Sequence, residues 1–153
     1  IIRKTRNQKL VNLFVEEAES YVADPLFLMG IIAYEAEGSK SNSCRFSNSD
    51  YKMIKLFVSF INNYFPGGTF KFTLFVHESR KQDLQRITSY WSSKLAVSEQ
   101  SLEIIWKKNV VVRRRLNIDY FGQILVQVSG IKLLTRKILQ ISDIIMEKYC
   151  GVG

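Results

Sequence analysis

The chain has 153 residues, enough for one folded domain with a sizeable core, and 46% of them are hydrophobic and 24% charged, as in ordinary globular proteins. The formal net charge is +8, and because the charges of residues 1–24 cancel, the whole excess belongs to residues 25–153. This balance favours an anionic partner such as a nucleic acid. No apolar run approaches the roughly 20 residues of a membrane span, so we expect no membrane partner.

The few cysteine and histidine residues exclude several kinds of site. Cys44 and Cys150 form no close pair, and with His77 as the single histidine the chain lacks the four soft ligands of a structural zinc site. A Ser-His-Asp triad built on this one histidine is not supported either. Two distant cysteines are typical of reduced thiols, so we expect a cytosolic protein in which both are packing residues.

Two helices are predicted at the start of the chain. Apolar residues recur at helical spacing over 7–23. Asp24 followed by Pro25 is typical of a new helix, with Asp as its cap and Pro in its first turn. We expect that helix over 25–37, ended by Gly38 in the left-handed conformation. The chain is accordingly divided into an N-terminal helical arm over 1–24, interpreted as the remnant of a linker to an upstream domain, and a main domain over 25–153.

Strand and helix patterns alternate through the main domain. Residues 69–77 place apolar side chains at every second position, which is typical of a half-buried strand. Ser79 with Gln82 resembles a capping box and would open a helix. The remaining predicted elements are strands over 43–47, 102–113 and 122–128 and helices from Asp50 to Tyr64 and over 130–149.

One segment carries a resemblance to a known family. The apolar helix beginning near Leu28 ends in Tyr34-x-x-Glu37-Gly38-Ser39-Lys40, and a strand then leads to Asn48-Ser49-Asp50. In these residues the chain resembles the LAGLIDADG homing-endonuclease superfamily, most closely a bacterial and archaeal branch with a Tyr-x-x-Glu-Gly-Ser-Lys ending. The resemblance implies a prokaryotic, nucleoid-associated protein of the cytosol. The resemblance covers about residues 25–149 and includes Tyr90-Trp91. It implies an α+β fold in which an antiparallel curved sheet has its helices on one face.

The resemblance also implies a paired acidic site. In the family, two copies of the motif helix pack at a dimer axis, and an acidic residue at each helix end holds divalent cations at the DNA minor groove. In this chain that residue is Glu37, with the backbone carbonyl of Ala36 or Gly38 as a further ligand and Glu35 in a supporting position. Mg²⁺ or Mn²⁺ is the implied cofactor, since hard cations prefer oxygen ligands. Lys107 or Lys108 is our candidate for the basic residue that assists catalysis.

Helical spacing identifies the expected dimer contact. Gly30, Ala33 and Glu37 are separated by one turn each, so they share a helix face on which small residues would allow two backbones to approach. The chain departs from the family at Ile32, where Gly or Ala is common, and bulk there affects how closely two helices pack. We expect a homodimer formed through this helix.

The expected DNA contacts are the polar residues of the strands and two basic clusters. Family members lay their sheet along the major groove, where base edges are distinguishable, while basic clusters meet phosphates. The predicted DNA-binding residues are Lys40, Arg45, Ser47, Lys71, Thr73, His77, Lys107, Lys108, Arg113, Arg114, Arg115, Gln123 and Gln127.

Three functions remain open at this point. The first is a divalent-metal-dependent, site-specific endonuclease that acts on double-stranded DNA as a homodimer. The second is a DNA-binding transcriptional regulator that keeps the same fold without cutting. The third is RNA binding as an intron-splicing helper, because the superfamily includes maturases. We favour the first slightly over the second.

Overall fold

The computed structural model describes residues 2–110 and 117–151, so Arg113, Arg114 and Arg115 lie outside the described residues. Its helices are α1 (Ile2–Ala18), α2 (Pro25–Glu37), α3 (Tyr51–Tyr64), α4 (Leu84–Leu95) and α5 (Leu134–Cys150), and its strands are β1 (Cys44–Asn48), β2 (Thr69–His77), β3 (Leu102–Lys107) and β4 (Gln123–Ser129). Short 3-10 helices lie at Glu19–Tyr21, Glu78–Asp83 and Glu99–Ser101. The chain is therefore α+β, as predicted.

The described strands form one mixed sheet in the order β1-β4-β2-β3. The pairs β1/β4 and β4/β2 are antiparallel, but β2 and β3 run parallel. The expectation of a wholly antiparallel sheet is thus wrong for this pair. The physical reason is the connection, because parallel neighbours need a long crossover and α4 with its flanking 3-10 helices supplies one.

Two predicted helix starts agree with the structure because the expected capping hydrogen bonds form. The Asp24 side chain accepts a hydrogen bond from the Leu26 amide at 2.9 Å, and α2 starts at Pro25 as expected. The Asp50 side chain accepts from the Lys52 amide at 2.9 Å at the start of α3. Strand β2 also has its predicted bounds.

Two predicted local conformations are wrong. Gly38 has φ −77° and ψ 156°, which is extended and not left-handed, so it does not end α2 as a left-handed stop. The predicted capping box of Ser79 and Gln82 is absent at the start of α4, because the chain first makes a 3-10 helix and α4 begins at Leu84. The side chain that accepts a backbone hydrogen bond there belongs to His77, which receives the Ser79 amide.

A single aromatic-rich core joins the sheet to the helices. Phe46 of β1 stacks on Phe57 of α3 with ring centroids 4.7 Å apart, and Phe57 stacks in turn on Tyr34 of α2 at 5.8 Å. Trp91 of α4 is fully buried in the same cluster. Successive side chains of a strand point to opposite faces of the sheet, and this core covers one of the two faces. The other face is open for other contacts.

Helix α1 packs into this core together with the main domain. Its Phe14 ring lies 4.7 Å from the Phe65 ring and belongs to the same hydrophobic cluster. Lys137 of α5 lies over the Phe14 ring at 5.0 Å, and Gln8 is hydrogen-bonded by Arg136. One side of α1 is thus held against α5.

Candidate nucleic-acid interface and acidic turn

The open face of the sheet carries every strand residue that was predicted to face DNA. Residues two apart on a strand point to the same side, so the pairing register defines the face. Its rows across the sheet are Arg45–Gln127–Lys71, Ser47–Leu125–Thr73–Glu103, Gln123–Phe75–Ile105 and His77–Lys107. Sequence alternation therefore placed these polar side chains correctly on one face.

The open face is not uniformly basic. Lys71 Nζ lies 2.7 Å from a carboxylate oxygen of Glu103, and Thr73 donates a hydrogen bond to the same oxygen at 3.2 Å. The hydrogen bond from Lys71 is the main reason that the pKa of the Glu103 carboxyl lies below its usual value. Phe75 and Ile105 add an apolar patch beside this pair. The charge available to a polyanion is therefore concentrated at Arg45 and Lys107, which are both exposed.

The turn that follows α2 is built on Tyr34. This side chain is fully buried, and its hydroxyl donates to the Ser39 carbonyl at 2.9 Å. Burial raises the pKa of Tyr34 to about 12, so the phenol stays protonated. Ser39 in turn donates to the Ser43 carbonyl and accepts from the Arg45 amide at 3.2 Å. These bonds fix the turn against the first residues of β1.

Gly38 and Lys40 complete the same turn. A Cβ atom at Gly38 would lie 2.5 Å from the Tyr34 ring, so only glycine fits this close approach. The Gly38 amide donates to the Tyr34 carbonyl at 2.7 Å, and Gly38 bridges to Phe46 of β1. Lys40 donates to the Glu35 carbonyl and lies 3.5 Å from the Glu35 carboxylate. Lys40, predicted to contact DNA, thus serves as a cation at the C-terminal end of α2.

Glu37 differs from its neighbours in the motif. Its side chain is exposed at the last position of α2, and within residues 2–110 and 117–151 the carboxylate makes no hydrogen bond or ion pair. A negative charge at a helix C-terminus opposes the helix dipole, which costs on the order of a few tenths of a kcal/mol. The fold therefore uses the rest of the turn and leaves this carboxylate available. Because Gly38 bridges to β1, Glu37 lies at the sheet edge near Arg45.

The exposed side of α2 is apolar. Met29 is 56% and Ile32 46% exposed, and α2 has no charged residue before Glu35. Together with α3 these side chains line an open groove formed by Leu28, Met29, Ile32, Ala33, Ala36, Met53 and Leu56. A helix that is apolar all round is normally covered on all sides. This groove is therefore the unpartnered surface next to Glu37, which follows Ala33 by one helical turn.

Gly30 has a different position from the one predicted for a dimer contact. It is buried, and a Cβ there would lie 2.2 Å from the Phe60 ring, so its small size serves the packing of α2 on α3 within one chain. Ala33 is also largely buried but reaches the floor of the groove. The exposed α2 side chains are instead Met29, Ile32 and Ala36.

Lys107 and Lys108 lie far from Glu37 of the same chain. Glu37 adjoins β1 at one edge of the sheet, while Lys107 ends β3 at the other edge, three strand spacings of about 4.8 Å away. Lys107 pairs with His77, six positions along β2 from Lys71 and hence about 20 Å from the row that contains Arg45. Its ammonium lies over the Phe75 ring at 4.4 Å. Neither lysine is placed to assist Glu37 within one chain.

Two residues at the C-terminal end of β2, His77 and Arg80, are used by the fold. His77 is buried, accepts the Ser79 amide through Nδ1, and therefore donates from Nε2 to the Asn109 carbonyl at 2.7 Å. Arg80, which the sequence did not single out, is buried and donates to Asp83 at 2.8 Å and to the carbonyls of Asn117 and Tyr120 at 3.0 Å. The only sequence signal for this structural role of Arg80 is that a basic residue follows shortly after the end of a strand.

The side chains that could hold a divalent cation can be tested for fit. No group of three or more His, Cys, Asp or Glu side chains converges in the described part of the chain. Glu37 alone offers one unused carboxylate, whereas Mg²⁺ takes one or two carboxylates together with waters and phosphate oxygens. One Glu37 meets the lower end of this range, and Glu37 of a second copy would supply the second carboxylate. The Gly38 carbonyl remains a predicted ligand.

Comparison with known proteins adds no relative: no family model, no curated protein and no solved structure matches this chain. In the described ranges, no helix is both long enough and apolar enough to span a membrane.

Proposed function

We propose that this chain binds double-stranded DNA through the open sheet face, as a homodimer paired along α2, and that paired Glu37 side chains support metal-dependent phosphodiester hydrolysis. The observation that carries the proposal is the register of the sheet, which gathers Arg45, Gln127 and Lys71 into one row and continues with further hydrogen-bonding side chains. A net charge of +8 supports an anionic ligand.

The chemistry of the face suits base recognition. Arginine can pair with guanine and glutamine with adenine in the major groove, where each base pair presents a distinct pattern. Arg45 and Gln127 are opposite one another on neighbouring strands, and Gln123 Nε2 donates to Ser47 Oγ at 3.1 Å, which orients its amide. Lys71 reaches phosphate only if it leaves Glu103, so we assign it a smaller share of the affinity.

Dimerisation through α2 covers the apolar groove and completes the acidic site. A self-paired surface of this kind is the commonest way in which identical chains associate. Met29, Ile32 and Ala36 would lie against the second copy, and Glu37 stands at the end of that contact. Each chain then contributes one carboxylate beside its own Arg45.

In the assembled site, the two Glu37 carboxylates would hold the cation, with Arg45 of each chain beside them. Mg²⁺ or Mn²⁺, when bound, supplies charge stabilisation on the scissile phosphate and favours hydroxide formation. The Tyr34–Ser39 hydrogen bond and the close packing of Gly38 hold Glu37 at the rim. The protein's part is therefore to position two carboxylates over the backbone of a duplex whose base edges contact the sheet.

The proposed cleavage activity is tested with one substitution and a matched control. The full chain is incubated with a plasmid library and Mg²⁺, and nicked or linear product is measured for wild type, Glu37→Gln and Glu147→Gln. We expect Glu37→Gln to lower the cleavage rate at least about 100-fold, since a lost metal ligand removes several kcal/mol of transition-state stabilisation. Glu147→Gln removes the same charge from an exposed position on α5 and should cut normally.

The binding half is tested separately by the salt dependence of affinity for duplex DNA. Arg45→Ala should weaken binding and Gln127→Ala should relax base preference, whereas Lys55→Ala, exposed on α3, should change neither. Equal loss for Arg45→Ala and Lys55→Ala, or stronger binding to a structured RNA competitor than to duplex, would contradict the sheet as a DNA surface.

A second function, DNA binding without cleavage, is favoured by one observation. Within one chain, the lysine that was expected to assist catalysis is not near Glu37, because Lys107 lies at the far sheet edge, and Lys40 is bound to the end of α2. A transcriptional regulator with this fold would bind equally well after Glu37→Gln and without Mg²⁺. The plasmid assay separates the two functions directly.

A further inference from the structure

The outward side of α1 carries a regular stripe that no contact among the described residues explains. Leu13 is 62% and Leu10 36% exposed, although both are leucines on a helix whose other side is already packed. Positions spaced alternately by three and four residues lie on one helix face, as in the seam of a coiled coil. The exposed stripe with this spacing is Arg3, Arg6, Leu10, Leu13 and Glu17.

The charges on this stripe are segregated in a way that does not stabilise the helix. The basic stripe residues Arg3 and Arg6 lie toward the N-terminus and the acidic Glu17 lies toward the C-terminus. The helix dipole favours the opposite arrangement, by about 0.3–1 kcal/mol for a charge near either end. None of these side chains forms an ion pair with any other described residue, although Tyr21 donates a hydrogen bond to Glu17. The arrangement thus fits a partner outside the chain.

We propose that α1 pairs antiparallel with α1 of a second copy of this chain. Turning one helix end over end about a point between Leu10 and Leu13 brings each Leu10 to the partner copy's position 13. The same rotation brings Arg6 to position 17 of the other copy, where it meets Glu17. The stripe is therefore self-complementary in both charge and hydrophobicity, which is what a two-fold symmetric contact requires.

This contact is separate from the α2 dimer and goes beyond the proposed function. The α1 stripe lies on the opposite side of α1 from Gln8, which Arg136 of α5 contacts, although the Glu17 charge acts on Lys137 of α5; the apolar groove lies on α2 and α3. Two leucines and one kind of ion pair per helix make a small interface, below the roughly 1,200 Å² of stable complexes. Its effect is to link dimers to one another, most strongly where DNA already holds them at high local concentration.

A charge-swap experiment tests the pairing without DNA. In Arg6→Glu, like charges face each other at both symmetric sites, and the same holds for Glu17→Arg. A mixed pair of the two variants restores attraction at both sites. A fluorescently labelled Arg6→Glu copy is titrated with unlabelled Arg6→Glu or with unlabelled Glu17→Arg, and anisotropy is measured. We expect at least tenfold tighter binding in the mixed titration; both variants keep a net positive charge, so bulk attraction cannot cause it.

A matched pair of variants provides the control. Lys4→Glu and Glu19→Arg make the same charge changes at exposed residues on the opposite side of the helix from the stripe. Their mixed and self titrations should agree within about twofold. A ratio near one for the Arg6 and Glu17 pair, or an equal rise for the control pair, overturns the proposal. The α2 surface is unchanged in every arm and Glu37 is untouched, so failure here is distinct from failure of the proposed DNA function.

Discussion

Two polar regions at opposite corners of the sheet use their charges differently. At the C-terminal end of β2, His77 and Arg80 have their nitrogens bound to backbone carbonyls and Asp83. At the turn after α2, Tyr34 and Ser39 are bound as well, yet Glu37 is left exposed and unpaired among the described residues. The first region is built for stability alone, and the second is stable around one free carboxylate.

The difference teaches how to separate structural from functional charge. A charged group whose hydrogen-bonding atoms are satisfied has little left for a ligand, and removing it destabilises the fold. A charged group that the fold leaves unused, in a position that slightly disfavours the helix, should change function while leaving stability intact. Substitutions can test this distinction, first at the C-terminal end of β2.

Arg80→Met should have the largest effect on stability. It leaves the carbonyls of Asn117 and Tyr120 and the Asp83 carboxylate without their cation, and we expect a loss of about 3 kcal/mol in the free energy of unfolding. Urea denaturation measures it. Lys81→Met, at the exposed neighbouring position, should cost less than about 0.5 kcal/mol. Equal stability of the two variants would show that the buried guanidinium is not a structural support.

Gly38→Ala should destabilise the other corner by about 2 kcal/mol, because the new methyl group would overlap the Tyr34 ring and carbonyl. Glu37→Gln, one residue earlier, should change stability by less than about 0.5 kcal/mol. Thermal or urea unfolding of the two variants side by side measures the contrast. A destabilisation by Glu37→Gln as large as that of Gly38→Ala would mean that Glu37 also supports the fold.

The effect of pH on stability through the buried groups Cys44 and Tyr34 should be smaller and should appear in alkaline solution. Burial raises the pKa of Cys44 from 9.0 to about 11 and that of Tyr34 from 10.0 to about 12. The unfolded chain therefore ionises these groups first, so their contribution is complete below pH 9 and is lost as pH rises to 12. We expect a loss on the order of 1–2 kcal/mol per group. Urea unfolding at pH 8 and pH 11 measures it, and Tyr34→Phe should show the weaker pH dependence.

Much of the open face could be predicted from sequence alternation alone. The period of two in 69–77 and 122–128 placed Lys71, Thr73, Gln123 and Gln127 on one side, because that period is a property of extended backbone and needs no tertiary information. The start of α2 could also be predicted from local sequence, because Asp24 caps the first turn and Pro25 fits within it without help from distant residues.

The parts that sequence reasoning missed depend on contacts between distant segments. Strand direction in the β2/β3 pair follows from the crossover through α4, and Gly38 is extended because of the Tyr34 ring, not because of a helix stop. Arg80 is buried by carbonyls that lie 37 and 40 residues away. Gly30 looked like a surface contact because its partner, Phe60, is on another helix. None of these pairings has a local signature.

The close fit of Gly38 under the Tyr34 ring has a consequence for variation in the motif. In a randomised library of residues 34–40, survival of folded protein would retain Tyr34 and Gly38 and would accept many residues at position 37. Enrichment for DNA cutting would then narrow position 37 to an acid. The two selections, one for folding and one for DNA cutting, would thus retain different residues of the same seven-residue segment.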